Sequence, residues 1–168
     1  MIDAVVYTTN TGFSKEYALM LGNELNLPVY ELEKALKEIK KDTEIAYLGW
    51  VMADNIVGYK KVATYFKVSV LCAVDLSSNK DRIAKANIID NNTELFVLKG
   101  GLNLNRLKGF KKFLMKIISK SMIKDLEIKQ NLDLEDKKLL AILKGEESGV
   151  LKNNLSEAIS YIRRQERK

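Results

Sequence analysis

The sequence of 168 residues contains no histidine, a single cysteine (Cys72) and a single proline. Without histidine, the chain has no Ser-His-Asp or Cys-His catalytic set, no histidine metal ligand and no side chain that ordinarily titrates near neutral pH. One cysteine excludes an intrachain disulfide, and its apolar surroundings favour a small buried thiol over a reactive one. We therefore predict no metal site and single out no catalytic side chain. Difficult chemistry would have to come from a bound cofactor.

Long apolar runs are also missing from the sequence. No run approaches the roughly 20 residues that cross a membrane, and the N-terminus shows no signal-peptide pattern. These absences predict a cytoplasmic protein. The length and a hydrophobic content of 46% fit one globular domain over residues 1–168. The net charge of +6 permits binding to anionic surfaces, although excess charge also keeps proteins soluble.

Apolar strand-like segments alternate with helix-period segments over the first hundred or so residues. This alternation predicts a parallel sheet with right-handed crossovers and helices on both faces. We expect Asp54 and Asn55 to cap the third helix. The predicted strands are residues 4–7, 28–32, 44–49, 67–75 and 93–99, and the predicted helices are residues 15–25, 33–39, 56–66, 80–86 and 153–163.

The stretch AVVYTTNTGFS, from Ala4 to Ser14, combines a buried strand, a polar loop and a helix start. At such a junction backbone N–H groups lack helical partners and the helix dipole is positive, which suits an anion. The Gly-Lys-Ser/Thr ending of a nucleotide P-loop and the three spaced glycines of a dinucleotide fingerprint are both missing. The alternative is an ordinary capped helix after a strand. The predicted ligand is a phosphate held by Thr9, Asn10, Thr11, Gly12, Phe13 and Ser14.

The order hydroxyl-x-Thr-Gly-x-hydroxyl in Thr9 to Ser14 resembles the phosphate loop of the flavodoxins, which holds the phosphate of FMN without a lysine. The resemblance covers residues 1–104 and resumes at residues 153–163. It implies an α/β fold with a flavodoxin-like, doubly wound, five-stranded parallel sheet of order 2-1-3-4-5, and FMN as the cofactor. It also implies flavin-ring contacts in the loops after the third and fourth strands, at Trp50, Val51, Asp75, Leu76 and Ser77.

Two interpretations of Trp50 stay open. By the resemblance, it is a candidate to stack on the flavin ring; by its place directly after Gly49, it could instead pack in the core or at its rim. The loop after the fourth strand, residues 75–79, offers no second aromatic side chain. Either Leu76 covers the ring edge there, or that face of the flavin is open to a substrate or partner.

Residues 103–148 form an insertion that a minimal flavodoxin lacks, and its first half predicts a basic amphipathic helix. Apolar residues at three-four spacing are Leu104, Leu107, Phe110, Leu114, Ile117 and Ser121 or Met122. Between them lie Arg106, Lys108, Lys111, Lys112, Lys116, Lys120 and Lys124. Three interpretations stay open: a surface helix packed on the domain, a helix contacting anionic membrane lipid through residues 104–124, and a nucleic-acid patch, which is disfavoured because no recognition motif accompanies the charge.

The segment Gly100-Gly101-Leu102, followed by Arg106 and the basic helix, resembles the long insertion of the menaquinone-dependent protoporphyrinogen dehydrogenases. In those flavodoxin-like enzymes the segment reads Gly-Ala-Leu-Arg, followed by aromatic and proline residues. Here the arginine is displaced and the aromatics are missing. The resemblance implies a flavin-dependent oxidoreductase at the inner face of the membrane, passing electrons from protoporphyrinogen IX to a quinone. The alternatives are an electron carrier between redox protein partners and a flavin-free binding module.

Overall fold

The computed structural model describes residues 1–76, 79–101, 109–129, 131–144 and 149–167, with side chains for all of these except residues 109–115. The strands in these ranges are β1 (Ala4–Tyr7), β2 (Val29–Glu31), β3 (Glu44–Met52), β4 (Asn55–Ile56), β5 (Lys67–Asp75) and β6 (Glu94–Lys99). The helices are α1 (Phe13–Leu25), α2 (Leu32–Glu38), α3 (Tyr59–Tyr65), α4 (Lys80–Ala86), α5 (Gly109–Ile128), α6 (Leu134–Lys144) and α7 (Ser156–Gln165), with a 3-10 helix (Lys152–Leu155) before α7.

The strands form one mostly parallel sheet in the order β2-β1-β3-β5-β6. β1 pairs in parallel with β2 on one side and with β3 on the other, so that Val5 lies between Val29 and Ala46. The short β4 lies off this path and pairs antiparallel with β3 alone. The predicted α/β class and parallel sheet are therefore confirmed, with β4 as an antiparallel addition that the sequence prediction lacks.

Helices bury both faces of the sheet. Successive strand residues point to opposite faces, so Val5 joins one buried cluster with Tyr17 of α1 and Ile162 of α7. Val6 joins the other cluster, with side chains from α2, α3 and α4 such as Ile83. This double coverage explains why the strands are apolar throughout instead of alternating apolar with polar residues.

Cys72 lies in β5 with no exposed surface. Burial raises the pKa of its thiol to about 12, because the charged thiolate is disfavoured away from water. The prediction of a small buried thiol is confirmed.

The end of β3 contradicts the sequence prediction, which ends the third strand at residue 49 and places a loop between it and the helix that starts at residue 56. β3 instead continues to Met52 and turns back directly into β4. The turn residues Ala53 and Asp54 have φ angles of 48° and 62°. Two successive residues in this left-handed region are what a two-residue hairpin turn of type I′ requires, and Asn-Gly is its usual signature. Because Ala-Asp carries no such signature, the hairpin could not be predicted from these residues.

Other predicted boundaries are partly right. The bounds of β5 and α4 agree with the prediction, whereas α1 begins at Phe13, earlier than predicted. The predicted cap of the third helix is wrong: Asp54 lies in the hairpin turn, Asn55 lies in β4, and Gly58, with φ of 88°, precedes α3. Because β4 extends to Ile56, α3 begins at Tyr59 and not at the predicted residue 56.

The described part of the insertion is a pair of helices, α5 and α6, that contact each other. Ion pairs join them between Lys129 and Asp136 and between Lys144 and Glu127. A further ion pair connects Lys99, the last residue of β6, with Glu135 at the start of α6. The helix pair is therefore attached at the carboxyl end of β6. Among the described helices, none combines the length and the apolar content that crossing a membrane would need.

Two positions of the predicted apolar stripe can be compared with the described side chains of α5. Met122 is half-buried on the same face as the buried Ser119, whereas Ile117 is 50% exposed. Leu104 and Leu107 lie outside the described residues, as do the side chains of Phe110 and Leu114.

Glu24, near the end of α1, joins this helix to the chain that follows the insertion. Its carboxylate lies 2.8 Å from Lys152 Nζ and 2.9 Å from Arg163 Nη2. Hydrogen bonds from Lys152 and then from Arg163 lower the pKa of Glu24 below its ordinary value of 4.5. A carboxyl group whose pKa is lowered by folding stabilises the folded state above its ordinary pKa. That stabilisation is lost as the pH falls through the lowered value.

We therefore predict that Glu24→Gln lowers the urea midpoint of unfolding at pH 7 and that the difference from wild type disappears well below pH 4.5, the ordinary pKa of this group. Unfolding followed by circular dichroism across this pH range measures the effect. A cycle with Arg163→Gln should show that the two substitutions are not additive at pH 7. An undiminished difference in acid would contradict the assignment to this ion-paired carboxylate.

Candidate functional site

A half-buried loop, residues 8–12, connects β1 to α1 at the carboxyl edge of the sheet. Gly12 precedes the first helical residue with φ of 98°, a conformation that suits glycine. Its N–H donates to Thr9 Oγ1 at 2.9 Å, and its carbonyl accepts the first helical hydrogen bond from Glu16 N–H, also at 2.9 Å. The N–H groups between them, of Phe13, Ser14 and Lys15, have no intrahelical acceptor. Predicted binding residues 9–12 thus lie in this loop, and Phe13 and Ser14 lie in the first turn of α1.

Ser14 is the unusual member of this group. Its side chain is 1% exposed, and its hydroxyl has no hydrogen-bond partner. A buried hydroxyl without a partner costs about 1–3 kcal/mol, because it loses water without gaining a replacement. This orphaned donor lies one residue inside a helix N-terminus with free N–H groups. The local chemistry therefore fits an anionic oxygen such as that of a phosphate.

A cluster of hydroxyls fixes the start of the loop. Thr8 Oγ1 lies 2.8 Å from Tyr47 Oη and donates to the carbonyl of Val57 at 2.8 Å, which the Tyr47 hydroxyl also reaches at 2.7 Å. The same cluster leaves no room for a side chain at Gly58, where an added Cβ would lie 2.3 Å from Tyr47 Oη. Hydrogen bonds thereby connect the link from β4 to α3 with the start of the loop between β1 and α1. Sequence analysis missed Thr8 and Tyr47, since a contact across 39 residues leaves no pattern in local spacing.

Trp50 and Val51, both predicted to contact the flavin ring from a loop, lie in β3. Strand alternation places Trp50 on the same face as Leu48, which is the face that α1 covers. Trp50 is half-buried and belongs to neither core cluster among the described side chains. Val51 points the other way and packs against the opposite cluster. Of the two residues, only Trp50 lies on the face of the sheet that α1 covers.

Of the three residues after β5 that were predicted to contact the flavin ring, the structure describes Asp75 and Leu76. Asp75 and Leu76 are half-buried at the carboxyl edge, while Ser77 lies outside the described residues. The carbonyl of Asp75 already accepts a hydrogen bond from Gly100 N–H at 2.7 Å. This contact brings the ends of β5 and β6 together. It also means that the Asp75 carbonyl has a partner within the chain.

The residues that flank the insertion, Gly101 and Gly149, lie beside α1. Gly101 packs on the ring of Phe13, and a Cβ there would lie 2.6 Å from Phe13 Cζ. A Cβ at Gly149 would lie only 1.7 Å from the carbonyl oxygen of Gly100, so the returning chain passes directly over the departing one. Neither position has room for a side chain without movement of its neighbours. The insertion therefore leaves and re-enters the domain at the candidate site.

The hydroxyl of Tyr17 holds this junction together. It lies 2.7 Å from the carbonyl of Lys99 and 3.1 Å from that of Gly149, and it accepts hydrogen bonds from Asn154 Nδ2 at 2.5 Å and Leu151 N–H at 3.4 Å. Burial raises the pKa of Tyr17, so the hydroxyl is protonated and able to donate at neutral pH. Sequence analysis did not predict this role of Tyr17, because the partners of its hydroxyl lie more than 80 residues later in the chain.

A groove at the other edge of the sheet does not suit a phosphate. It has a volume of about 670 Å³ and is found at the opposite, amino edge of the sheet, where Ile2, Ser69 and Thr93 line it. Its lining also includes the carboxylates of Glu44, Glu94 and Glu166. Negative side chains repel a phosphate. The loop of neutral donors at the carboxyl edge is therefore the better anion site.

The described groups at this edge can bind and orient an anion. The loop between β1 and α1 provides hydroxyls and backbone N–H groups, and the buried tyrosines beside it, Tyr17 and Tyr47, both have raised pKa values. Desolvation is the main cause in each case. These groups act as hydrogen-bond donors or acceptors over the physiological range. Reactive chemistry at this edge would need a bound group to supply it.

We predict that Tyr17→Phe lowers the free energy of unfolding by about 2–4 kcal/mol. The substitution keeps the ring but leaves several buried polar groups without a partner, at about 1–3 kcal/mol for each such group. Urea unfolding measures the loss. Tyr161→Phe is the matched control, since the half-exposed Tyr161 packs edge-on against Phe96 and should lose little. Equal stability of the two variants would contradict the role given to the Tyr17 hydroxyl.

No model of a known protein family matches this chain, and no curated protein matches it in sequence. The function of the site is therefore inferred from the residues and contacts at the carboxyl edge of the sheet.

Proposed function

We propose that this protein is a flavodoxin-like redox protein that binds FMN through the loop between β1 and α1. The observation that carries the proposal is the Ser14 hydroxyl, which is buried without a partner in the first turn of α1. A bound phosphate oxygen would give this hydroxyl an acceptor and would meet the N–H groups of Phe13 and Lys15. The neutral donors suffice without a lysine, because the helix N-terminus is itself partly positive.

The sheet order supports this assignment. With the antiparallel β4 set aside, β2-β1-β3-β5-β6 corresponds to the order 2-1-3-4-5 of the parallel strands. In sheets of this order, connections leave the first and third strands in opposite directions, and FMN of flavodoxins binds in the crevice between them. The phosphate loop follows β1, and Trp50 lies on the neighbouring β3. The two features that the flavodoxin resemblance assigns to FMN thus lie on the two strands that border this crevice.

The chain's own residues would bind and orient the flavin. Phe13, held against Gly101, fixes the first turn of α1, while Thr8 and Tyr47 fix the strand end that leads into the loop. Trp50 would lie along the ring and limit its exposure to water. When bound, FMN supplies the capacity to take hydride or electrons from a reduced substrate and to pass them to an acceptor.

The finer proposal is that this protein oxidises protoporphyrinogen IX and passes the electrons to a quinone. The position of the insertion supports an enzyme over a simple carrier, because the residues that flank it contact the first turns of α1: Gly101 packs on Phe13, and the Gly149 carbonyl lies 3.1 Å from the Tyr17 hydroxyl. The net charge of +6 also argues against the carrier, since flavodoxin electron carriers are typically acidic and dock on basic redox partners. The electron carrier and the flavin-free binding module remain the rival functions.

We predict that purified protein quenches the fluorescence of added FMN and that Ser14→Ala weakens this binding about tenfold to a hundredfold. The range follows from about 1.5–3 kcal/mol for a hydrogen bond to a charged group. The same substitution should raise the stability of the FMN-free protein by about 1 kcal/mol, because it removes an unpaired buried hydroxyl. A titration and a urea unfolding series measure the two effects. Their opposite signs distinguish a ligand-binding hydroxyl from a merely structural one.

The matched control is Ser156→Ala, in which an exposed hydroxyl that donates to the Asn153 carbonyl at 2.8 Å is removed far from the loop. It should leave FMN binding unchanged. If the wild-type protein leaves FMN fluorescence unchanged at all concentrations, both redox functions fail and the binding module is favoured. If Ser14→Ala binds FMN as tightly as wild type, the phosphate is not held where we propose.

We predict for the flavin-loaded protein that porphyrin fluorescence develops from protoporphyrinogen IX faster than the uncatalysed rate and only when a quinone is present. A quinone-dependent rate is expected because the electrons taken from the substrate need an acceptor. Protein with Ser14→Ala, at an FMN concentration that leaves it unloaded, is the control. FMN binding without any gain in rate would favour the electron carrier.

A further inference from the structure

The α5–α6 pair is held to the domain by few buried side chains. Of its described side chains, only Ser119, Ile142 and Leu143 are buried. Its ion pair with β6, between Lys99 and Glu135, involves a glutamate that is 70% exposed and therefore stabilises little. Segments with few buried apolar contacts open locally while the rest of a domain stays folded. We therefore expect the helix pair to detach and reattach as a unit, without unfolding of the sheet.

α6 attaches to the domain at a junction beside the end of β6. A Cβ at Gly149 would lie 3.3 Å from Ile142 Cδ1, so the buried Ile142 of α6 packs on this glycine. Gly149 in turn lies against the carbonyl oxygen of Gly100. The ion pair of α6 with β6 is formed at the neighbouring Lys99. The junction, defined as residues 99–101 and 149, thus carries an apolar contact and an ion pair that attach α6.

The same junction contacts the first turns of α1, on both sides of Ser14 in the sequence. Phe13, before Ser14, packs on Gly101. Tyr17, after it, has its hydroxyl 3.1 Å from the carbonyl of Gly149. Because Phe13 and Tyr17 are four residues apart, they lie on one face of the helix. The turn that carries the unpaired Ser14 hydroxyl is therefore supported by the residues to which the insertion attaches.

We propose that FMN binding and the attachment of the α5–α6 pair are coupled through the first turns of α1, so that each strengthens the other. The proposal rests on the FMN site proposed above and concerns the regulation of that site. A phosphate bound to Ser14 and to the N–H groups of the first turn fixes this turn and, with it, Phe13 and Tyr17. Detachment removes Ile142 from Gly149 and so loosens the contact of Gly149 with the Tyr17 hydroxyl. The attached and detached states therefore differ in their affinity for the phosphate, which a ligand needs in order to shift an equilibrium.

This coupling gives the insertion a regulatory role. A substrate or partner that binds the attached helix pair would raise the affinity for FMN, and one that binds the detached pair would lower it. By linkage, the factor by which FMN favours attachment equals the factor by which attachment strengthens FMN binding. The alternative is a purely structural junction, at which the helix pair opens equally often with and without ligand.

Hydrogen exchange of the full chain, followed by mass spectrometry, measures attachment as the protection of backbone amides in α6. We expect saturating FMN to slow exchange in α6 by about fivefold or more, as is typical of coupled sites, and to slow it more than in α2. α2 is the reference helix because it packs on the other face of the sheet, against the opposite buried cluster. Riboflavin, the same flavin without the phosphate, should leave exchange in α6 unchanged, because it offers no phosphate oxygen to Ser14.

The reciprocal measurement uses variants that weaken attachment. Glu135→Gln removes the ion pair with Lys99, and Ile142→Ala removes the apolar contact with Gly149. Each substitution should weaken FMN binding, and the two together should approach the factor by which FMN slows exchange in α6, because linkage makes the two factors equal. The exposed position of Glu135 keeps Glu135→Gln informative if circular dichroism shows that Ile142→Ala does not fold.

Glu33→Gln combined with Ile39→Ala is the matched control. It breaks an exposed ion pair with Lys61 and truncates a partly buried isoleucine at the end of α2. These positions lie away from the junction, so the control variant should bind FMN as tightly as wild type.

Several results would overturn the coupling. Quenching of FMN fluorescence without a greater slowing of exchange in α6 than in α2 would contradict it and leave the FMN site in place. Equal protection by riboflavin would show that the effect does not pass through the phosphate. Unchanged FMN binding in a folded variant that carries both Glu135→Gln and Ile142→Ala would also contradict it. Absence of FMN quenching by the wild-type protein would instead remove the FMN site and the coupling together.

Discussion

The pairing of β1 with both β2 and β3 is the constraint on which the rest of the structure depends. All four residues of β1 are at most 7% exposed, and alternate ones belong to opposite core clusters. A shift of one residue in register would exchange these faces and move Val5 and Val6 into each other's surroundings. The strand end is therefore fixed against both neighbours. Because the chain leaves β1 and β3 in opposite directions, fixing β1 also fixes a crevice at its carboxyl end.

Ser14 and Tyr17 lie one turn apart on α1, and their hydroxyls relate the fixed position of β1 and α1 to the candidate site. Tyr17 has four polar neighbours from distant parts of the chain, while Ser14 has none. An unpaired buried hydroxyl costs about 1–3 kcal/mol, a substantial share of the 5–15 kcal/mol that stabilises a typical domain. Such a group persists only where its surroundings hold it in place. The hydrogen bonds of the Tyr17 hydroxyl supply that support. The Ser14 hydroxyl remains without a partner at the start of α1, where a bound anion would accept its hydrogen bond.

Local patterns in the sequence predicted most of the fold, and long-range contacts account for what they missed. Residues 67–75 form an uninterrupted apolar strand, so β5 was predicted with its correct bounds. The β3–β4 hairpin was missed because Ala53 and Asp54 lack turn chemistry, and the buried Asn87 holds it instead by donating to the Asp54 carbonyl at 2.9 Å. For the site, the strand, loop and helix start could be predicted from residues 4–14. The partners of Tyr17 and Thr8 could not, because they are brought close only by folding.

The insertion and the candidate site share one edge of the sheet. The loop between β1 and α1 offers only neutral donors there, its hydroxyls and backbone N–H groups. The ion pair between Lys99 and Glu135 attaches the α5–α6 pair at the same carboxyl edge, and Gly101, which follows β6, packs on Phe13 in the first turn of α1. An insertion attached at this edge is what would be expected if it serves a reaction at a flavin bound in the proposed crevice.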